Sequence, residues 1–532
     1  MEQFFKMALE NIARHGDTDV FPFPLETKVF FDEPLRARAV LESIHKDFEG
    51  HLLNTPPVHE NALSVVGYSG FRWVTQIDPI WNAYFLSLVL SVASDIEAAR
   101  LPVDKRVVFS YRYRPDKEHK TLFSSEIGWR QFQMRSVELA HESKVVLVCD
   151  ISDFYPRIYH HRLENALKRA TRNDTATGRI MDLLQRFSSG VSYGLPVGGP
   201  AARLLSELLL NRVDRLLRTA GIRFVRFVDD YHIFTDTEQE AYAALVLLSE
   251  RLLENEGLSL QKSKTRVMSS EEFLATSEFA DENPPQDDDE GRGRAFLSLR
   301  LHFDPYSPTA EEDYEKLRDA VDKFDVVGML ATEIRKSRVN QTLVRRLISA
   351  VRVLKGPLQR DAVVSIVDNL AVLYPVFPNV MLLCRGVISD LDDEARNKVF
   401  STIRSLIRDD SYIVKVPVNL GYAIRVLGYD PSEEADEVLS NTFNSTPHMF
   451  IRRDIILAMA KRNADFWLSD LRKRFHSLSI WERRAVLIGS YLLEDEGKHW
   501  RVAINKELSE VDQLTVSWAA SKKQANKWEI PL

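Results

Sequence analysis

The chain has 532 residues, is 45% hydrophobic and 28% charged, and carries a formal net charge of −7. A single core stops growing at roughly 250–300 residues, so two or more domains are expected. Its two cysteines, Cys149 and Cys384, exclude a disulfide framework, a zinc ribbon or a cysteine-rich metal module. The acidic balance weighs against a protein that coats duplex DNA, although a local basic channel is compatible with it. The N-terminal MEQFFKMALENIARHGDTD intersperses charges through its apolar stretch and lacks a secretory core. No apolar run is judged to approach the roughly 18 residues of a membrane span, so a cytoplasmic protein without a membrane is expected.

In chain order, the first strong element is Lys144–Asp150 (KVVLVCD), a continuous β-branched and apolar run that reads as a buried strand ending at a carboxylate. Next, Arg223–Phe234 (RFVRFVDDYHIF) places two short aromatic and β-branched runs around Asp229-Asp230, the pattern of a tight hairpin. Residues 278–294 (EFADENPPQDDDEGRGR) combine prolines, acids and glycines, the composition of an exposed loop. The alternation in Ala295–Phe303 predicts a strand returning to this domain, which closes near residue 308 at DPYSP.

Beyond that point the periodicity is helical. Leu343, Val344, Leu347, Ile348, Val351 and Leu354 mark one apolar stripe, and Ile451, Ile455, Ile456 and Met459 another. Breaks fall at Lys355-Gly356-Pro357 and Asp392-Asp393. The similar strings VRRLI (344–348), IRRDII (451–456) and ERRAVL (482–487) suggest degenerate helical repeats. A HEAT-like solenoid and an irregular helical bundle both satisfy this pattern.

A lone strand-ending Asp is usually a cap, and a lone Asp-Asp is usually a solvated turn. Their conjunction is different. Asp150, Asp229 and Asp230 on two apolar strands can hold two divalent ions roughly 3.5–4 Å apart, the arrangement that activates an attacking hydroxyl and stabilises a leaving pyrophosphate.

These residues resemble the reverse-transcriptase family. Phe227-Val228-Asp229-Asp230 is similar to its aromatic-x-Asp-Asp motif, and Asp150–Tyr155 to its first palm motif, with an aromatic five residues after the Asp. Gly194–Pro200 (GLPVGGP) resembles the segment that packs the incoming nucleotide on the template, and Gly257–Thr265 (GLSLQKSKT) the later palm motif. The four follow in the family's order across about 115 residues. The resemblance implies an α+β fingers and palm, with an antiparallel sheet and helices, followed by an all-α HEAT-like domain. The division is then 1–59 as an N-terminal extension on the fingers, 60–308 as fingers and palm, and 309–532 as the helical domain.

The resemblance further implies catalysis and metal binding by Asp150, Asp229 and Asp230, with two Mg²⁺ ions, or Mn²⁺ in their place. Nucleotide contacts fall to Arg112, Ile151, Tyr155, Pro196, Val197 and Lys264. Tyr155 would lie beneath the sugar and exclude a 2′-hydroxyl, making dNTPs the substrates and DNA the product. Arg112, in FSYRYR, is the expected triphosphate contact in preference to Arg114.

Within the family the better resemblance is to bacterial abortive-infection reverse transcriptases of the AbiK and AbiA kind. The strings GDTDVFPFP (16–24), Ser110-Tyr111-Arg112 and Leu195-Pro196-Val197-Gly198 carry it. Where most reverse transcriptases have Gln, Val197 cannot hydrogen-bond. In that group this accompanies template-independent, protein-primed synthesis, antiphage defence and homo-oligomers, so covalently attached DNA is an expected product. The priming candidates are Tyr68, Tyr412, Tyr422 and Tyr429. Two other readings are an RNA-templated enzyme working with a dedicated noncoding RNA, and a non-catalytic nucleic-acid-binding scaffold.

Overall fold

The computed structural model describes residues 1–277, 296, 325–525 and 528–532. The expected acidic loop and the expected domain end near 308 lie outside the described residues. Of the expected return strand only Phe296 is described, and it is buried and helical rather than extended.

The chain forms two compact units, one of Met1–Asp19, Glu33–His59 and Thr75–Glu282, the other of Val20–Asp32, Glu60–Val74 and Asn283–Leu532. Val20–Asp32 and Glu60–Val74 thus group with the helical unit. The reason lies in what they bury. The helix Leu25–Asp32 sets Leu25, Val29 and Phe30 in that core, Arg484 Nη1 pairs with Glu26 Oε1 at 2.8 Å, and Trp518 Nε1 donates to Asp32 Oδ2 at 2.8 Å. Glu60 accepts from the Phe450 amide at 3.2 Å. The hairpin of β1 (His59–Val66) and β2 (Gly70–Ile77) carries the chain from the first unit into the second and back.

The first unit is built on a four-stranded sheet, β4-β5-β3-β6, from β3 (Val145–Asp150), β4 (Arg223–Phe227), β5 (Asp230–Thr235) and β6 (Arg266–Ser269). All three pairings are antiparallel. Successive side chains alternate between faces. Val146, Val225 and Phe234 pack with Phe132, Leu139 and Phe273. On the opposite parity, Leu147, Cys149, Tyr231 and Ile233 are fully enclosed. Burial on both faces is why β3 reads as an unbroken apolar run. The same enclosure pushes the Cys149 thiol up to about 12, as it does for Cys384 in the second unit.

The helix Pro79–Ala99 crosses this unit. Asp78 caps it by accepting from Ile80 N at 3.2 Å, and Pro79 occupies its first turn. Among the described residues this one helix is long and apolar enough to cross a membrane by length and composition, which corrects the expectation that no such stretch exists. Most of it is buried inside the protein, so its apolar character is used as core.

The second unit stacks helices in two rows. Gln341–Val351, Phe377–Val387, Pro417–Leu427, Met449–Lys461, Ile480–Gly489 and Glu510–Gln524 each pack on the next. Val326–Ile334, Pro357–Asp368, Asp393–Arg408 and Glu433–Ser445 form the second row in the same way. Packing on the helix two along, together with contacts between many sequence neighbours that join the rows, is the arrangement of a helical solenoid. The strings VRRLI, IRRDII and ERRAVL all lie in the first row, where the repeat places their apolar residues inward. The break at Asp392 is a cap, its carboxylate accepting from Ala395 N at 2.8 Å.

Candidate active site

β4 and β5 are joined by the two residues Val228 and Asp229, and Val228 has φ +56°. A positive φ is a costly outlier for a β-branched residue, of order 1–3 kcal/mol, and persists where the surroundings over-determine it. Here they do. The Val228 carbonyl accepts from Arg226 Nη1 at 2.7 Å, and the Asp229 carbonyl accepts from Ile151 N at 3.1 Å. The turn thus presents two adjacent carboxylates at the end of the sheet.

The register places Asp150 directly opposite Asp230. Like charges across a strand pair repel, which adds to burial in disfavouring ionisation. Burial first, then Asp150, raises Asp229 to about 6; burial, then Asp229 and Asp150, raises Asp230 to about 7. Lys264 Nζ sits 2.7 Å from Asp150 Oδ2. Burial works against the lysine's charge, yet its bond to Asp150 and the pull of Asp230 and Asp229 raise its pKa overall. The backbone fixes this partner, since Gln261 N donates to Asp150 O at 2.7 Å and Ser152 N to Ser259 O at 2.8 Å.

The glycine-rich segment meets the same strand end. Leu195 N donates to the Tyr155 carbonyl at 2.9 Å and Gly194 N to that of Ile158 at 2.9 Å. Gly194 and Gly198 have φ +98° and +114°, which suits glycine. Pro196 is buried and Val197 half-buried, just ahead of the helix Pro200–Thr219. Burial, Tyr111 and Glu207 raise the Tyr155 phenol well above its usual range, against a hydrogen bond with Ser206 and the charge of Arg203.

Residues 103–299 match the family described as reverse transcriptase (RNA-dependent DNA polymerase). This segment is a reverse-transcriptase domain. No curated protein matches the chain. Among solved structures, a telomerase from Candida albicans in complex with the TWJ fragment of telomeric RNA is 11% identical, covering 70% of this chain and 69% of that one at a TM-score of 0.31. An apo telomerase from Candida tropicalis is 10% identical, covering 78% and 73% at a TM-score of 0.30.

Within the reverse-transcriptase domain, the structure brings Asp150, Asp229, Asp230 and Lys264 together, and places Tyr155, Pro196 and Val197 on the adjoining segments. It does not support Arg112 as a triphosphate contact. That side chain is 2% exposed and spends its nitrogens on Val108 O at 3.0 Å, Leu101 O at 2.7 Å and Glu97 Oε1 at 2.9 Å. Ile151 is likewise buried, and its N–H is committed to Asp229 O. Sequence reading favoured Arg112 because nothing local separates a buried arginine from an exposed one.

Sequence reading also missed Arg203, whose guanidinium lies 5.0 Å from the Tyr111 ring centroid and acts on both Tyr111 and Tyr155. Its position three residues into the helix that follows the glycine-rich segment was the available signal. Arg226, fully enclosed with Glu207 and Asp214, was read only as part of a strand.

The reverse-transcriptase family implies divalent metal ions. The donor chemistry fits, since three hard carboxylate oxygens at one strand end suit Mg²⁺ or Mn²⁺, and their mutual repulsion is what a cation would relieve. In the present arrangement no group of three or more His, Cys, Asp or Glu among the described residues closes on an ion, and Lys264 occupies Asp150 Oδ2.

Proposed function

We propose that this chain is a DNA polymerase of the reverse-transcriptase type, with Asp150, Asp229 and Asp230 as the catalytic carboxylates. The carrying observation is the cross-strand pairing of Asp150 with Asp230 beside the strained Val228-Asp229 turn. The three aspartates would hold two Mg²⁺ ions, or Mn²⁺, whose chemistry would be to activate an attacking 3′-hydroxyl and to stabilise a departing pyrophosphate. Lys264 supplies positive charge, and a proton, next to the leaving group. Tyr155 sits beneath the sugar and selects dNTPs, while Pro196 and Val197 pack the nascent pair. Arg203 takes the electrostatic role first given to Arg112.

The finer reading is an antiphage, abortive-infection enzyme of the cytoplasm, working as a homo-oligomer, template-independent and primed on its own hydroxyl. Its supports are the AbiK- and AbiA-like strings, a Val at position 197 and the helical solenoid. The second reading is RNA-templated synthesis with a noncoding RNA, which the name of the matching family favours. Incubating the purified protein with each dNTP and Mg²⁺, with and without added RNA template, separates them. Polymerisation without template supports the first, and strict dependence on RNA the second. No incorporation under either condition removes the polymerase reading.

A further inference from the structure

A cavity of about 420 Å³ opens between the helices His160–Ala170 and Pro200–Thr219 and the end of the helix Glu238–Glu256. None of its lining residues belongs to the carboxylate site described above. Its volume falls in the roughly 300–1,000 Å³ range of small-molecule sites. Arg162, Arg169, Arg212 and Arg215 surround it, all with exposed side chains. Arg215 and Asn211 are oriented by the Ala99 carbonyl, which accepts from Arg215 Nη2 at 2.6 Å and Asn211 Nδ2 at 2.9 Å.

Two polar groups in the wall stand out, one of them without a partner. Asn211 Oδ1 is buried with no hydrogen-bond donor among the described residues. Glu256 is 5% exposed, and its carboxyl rises to about 7 because burial outweighs the attraction of Arg162, Arg212 and Arg169. Buried polar atoms are normally paired, and those that are not call for an explanation. Ala166, Leu208 and Leu216 give the cavity an apolar side. An apolar wall, an unpaired acceptor, a buried carboxyl and four guanidiniums match a planar base with amino groups that carries phosphate.

We propose that this cavity is a second nucleotide-binding site, separate from the polymerase centre. The arginines take the phosphate, and Asn211 and Glu256 take the polar edge of the base. The occupant is either a free nucleotide or one nucleotide of a bound strand, and both present this chemistry.

The test is photolabelling of the full-length protein with 8-azido-ATP in EDTA, followed by peptide mapping. Label is expected on peptides containing Arg162–Arg169 or Leu208–Leu216, at least tenfold weaker in R169E/R212E and in the milder R169Q/R212Q, and unchanged in D229A/D230A. Circular dichroism confirms that each variant is folded. Displacement by a single-stranded decanucleotide at lower concentration than by ATP identifies a strand, and the reverse identifies a free nucleotide; either supports the site. Label confined to peptides around Asp150 and Tyr155, label indifferent to both arginine variants, or displacement by inorganic phosphate as readily as by ATP overturns it. Loss of label in D229A/D230A alone would assign the binding to the polymerase centre instead.

Discussion

Arg226 Nη1 donates to the Val228 carbonyl oxygen at 2.7 Å, which ties the turn bearing Asp229 and Asp230 to a fully buried guanidinium. The same guanidinium binds Asp214 Oδ1 and Oδ2 at 2.8 and 2.7 Å, and Glu207 Oε1 and Oε2 at 3.1 and 3.0 Å. Burial opposes the charge on Glu207, but Arg226 and Arg100 hold its carboxyl below the usual range. Arg226→Met would leave the buried Asp214 without its cation and Glu207 with Arg100 alone, and breaking a buried pair in this way costs about 3–5 kcal/mol. Urea unfolding should show that loss. A change below about 1 kcal/mol would mean that the network does not support the fold.

The aspartates themselves should behave in the opposite way. Asp229→Ala and Asp230→Ala each remove a proposed metal ligand from a turn whose carboxylates repel one another. A loss of about 4 kcal/mol in transition-state stabilisation corresponds to roughly a thousandfold lower rate. Thermal unfolding in EDTA should show no loss of stability. Polymerisation at the wild-type rate by the folded double variant would remove the assignment.

These two cases show what the sequence can and cannot disclose. β3 and the Asp229-Asp230 hairpin were legible because their signals are local: an apolar run with a terminal acid, and two short strands separated by two residues. The partners of Arg226 lie on a helix at Glu207 and Asp214, so their convergence depends on tertiary packing. The burial of Arg112 was not legible for the same reason, since it is set by Glu97, Leu101 and Val108. In the second unit the apolar stripes gave the helices. The grouping of Val20–Asp32 with Glu510–Gln524 pairs segments nearly the whole chain apart, which no local pattern encodes.

Tyr155→Ala should admit ribonucleotides. The Tyr155 carbonyl is held by Leu195 N at 2.9 Å, so the backbone should stay in place when the ring is removed. The ratio of rNTP to dNTP incorporation should rise by at least tenfold. An unchanged ratio with activity retained would show that Tyr155 is not the sugar gate.

Glu256 gives the protein a pH dependence with a definite sign. Its folded-state pKa, raised by burial from 4.5 to about 7, means that the folded protein binds more protons than the unfolded chain in that window. Its contribution is favourable below about 4.5 and is lost as pH rises through about 7. Glu256→Gln cannot ionise, so it should flatten this part of the stability profile and raise the melting temperature at pH 8 relative to wild type. Parallel profiles for the two proteins would rule out Glu256 as the source.

Protein priming requires a hydroxyl that can leave its present partners. Tyr68 is committed twice, donating to Val372 O at 2.7 Å and accepting from Val339 N at 2.9 Å. Tyr422 is 8% exposed and donates to Val20 O at 3.2 Å, while Lys461 Nζ covers the Tyr429 ring at 3.9 Å. Tyr412 is 55% exposed and touches Tyr374 edge-on, so its hydroxyl is the most accessible of the four. If synthesis starts on the protein, the product should survive boiling in detergent and shift on treatment with either protease or DNase. Tyr412→Phe removes only the oxygen nucleophile and keeps the ring contact, so it should abolish the covalent adduct while leaving extension of an added DNA primer intact. Mass spectrometry of nuclease-trimmed protein then reads the modified residue directly. An adduct on another residue would exclude Tyr412, and DNA that dissociates freely in detergent would exclude protein priming without touching the polymerase assignment.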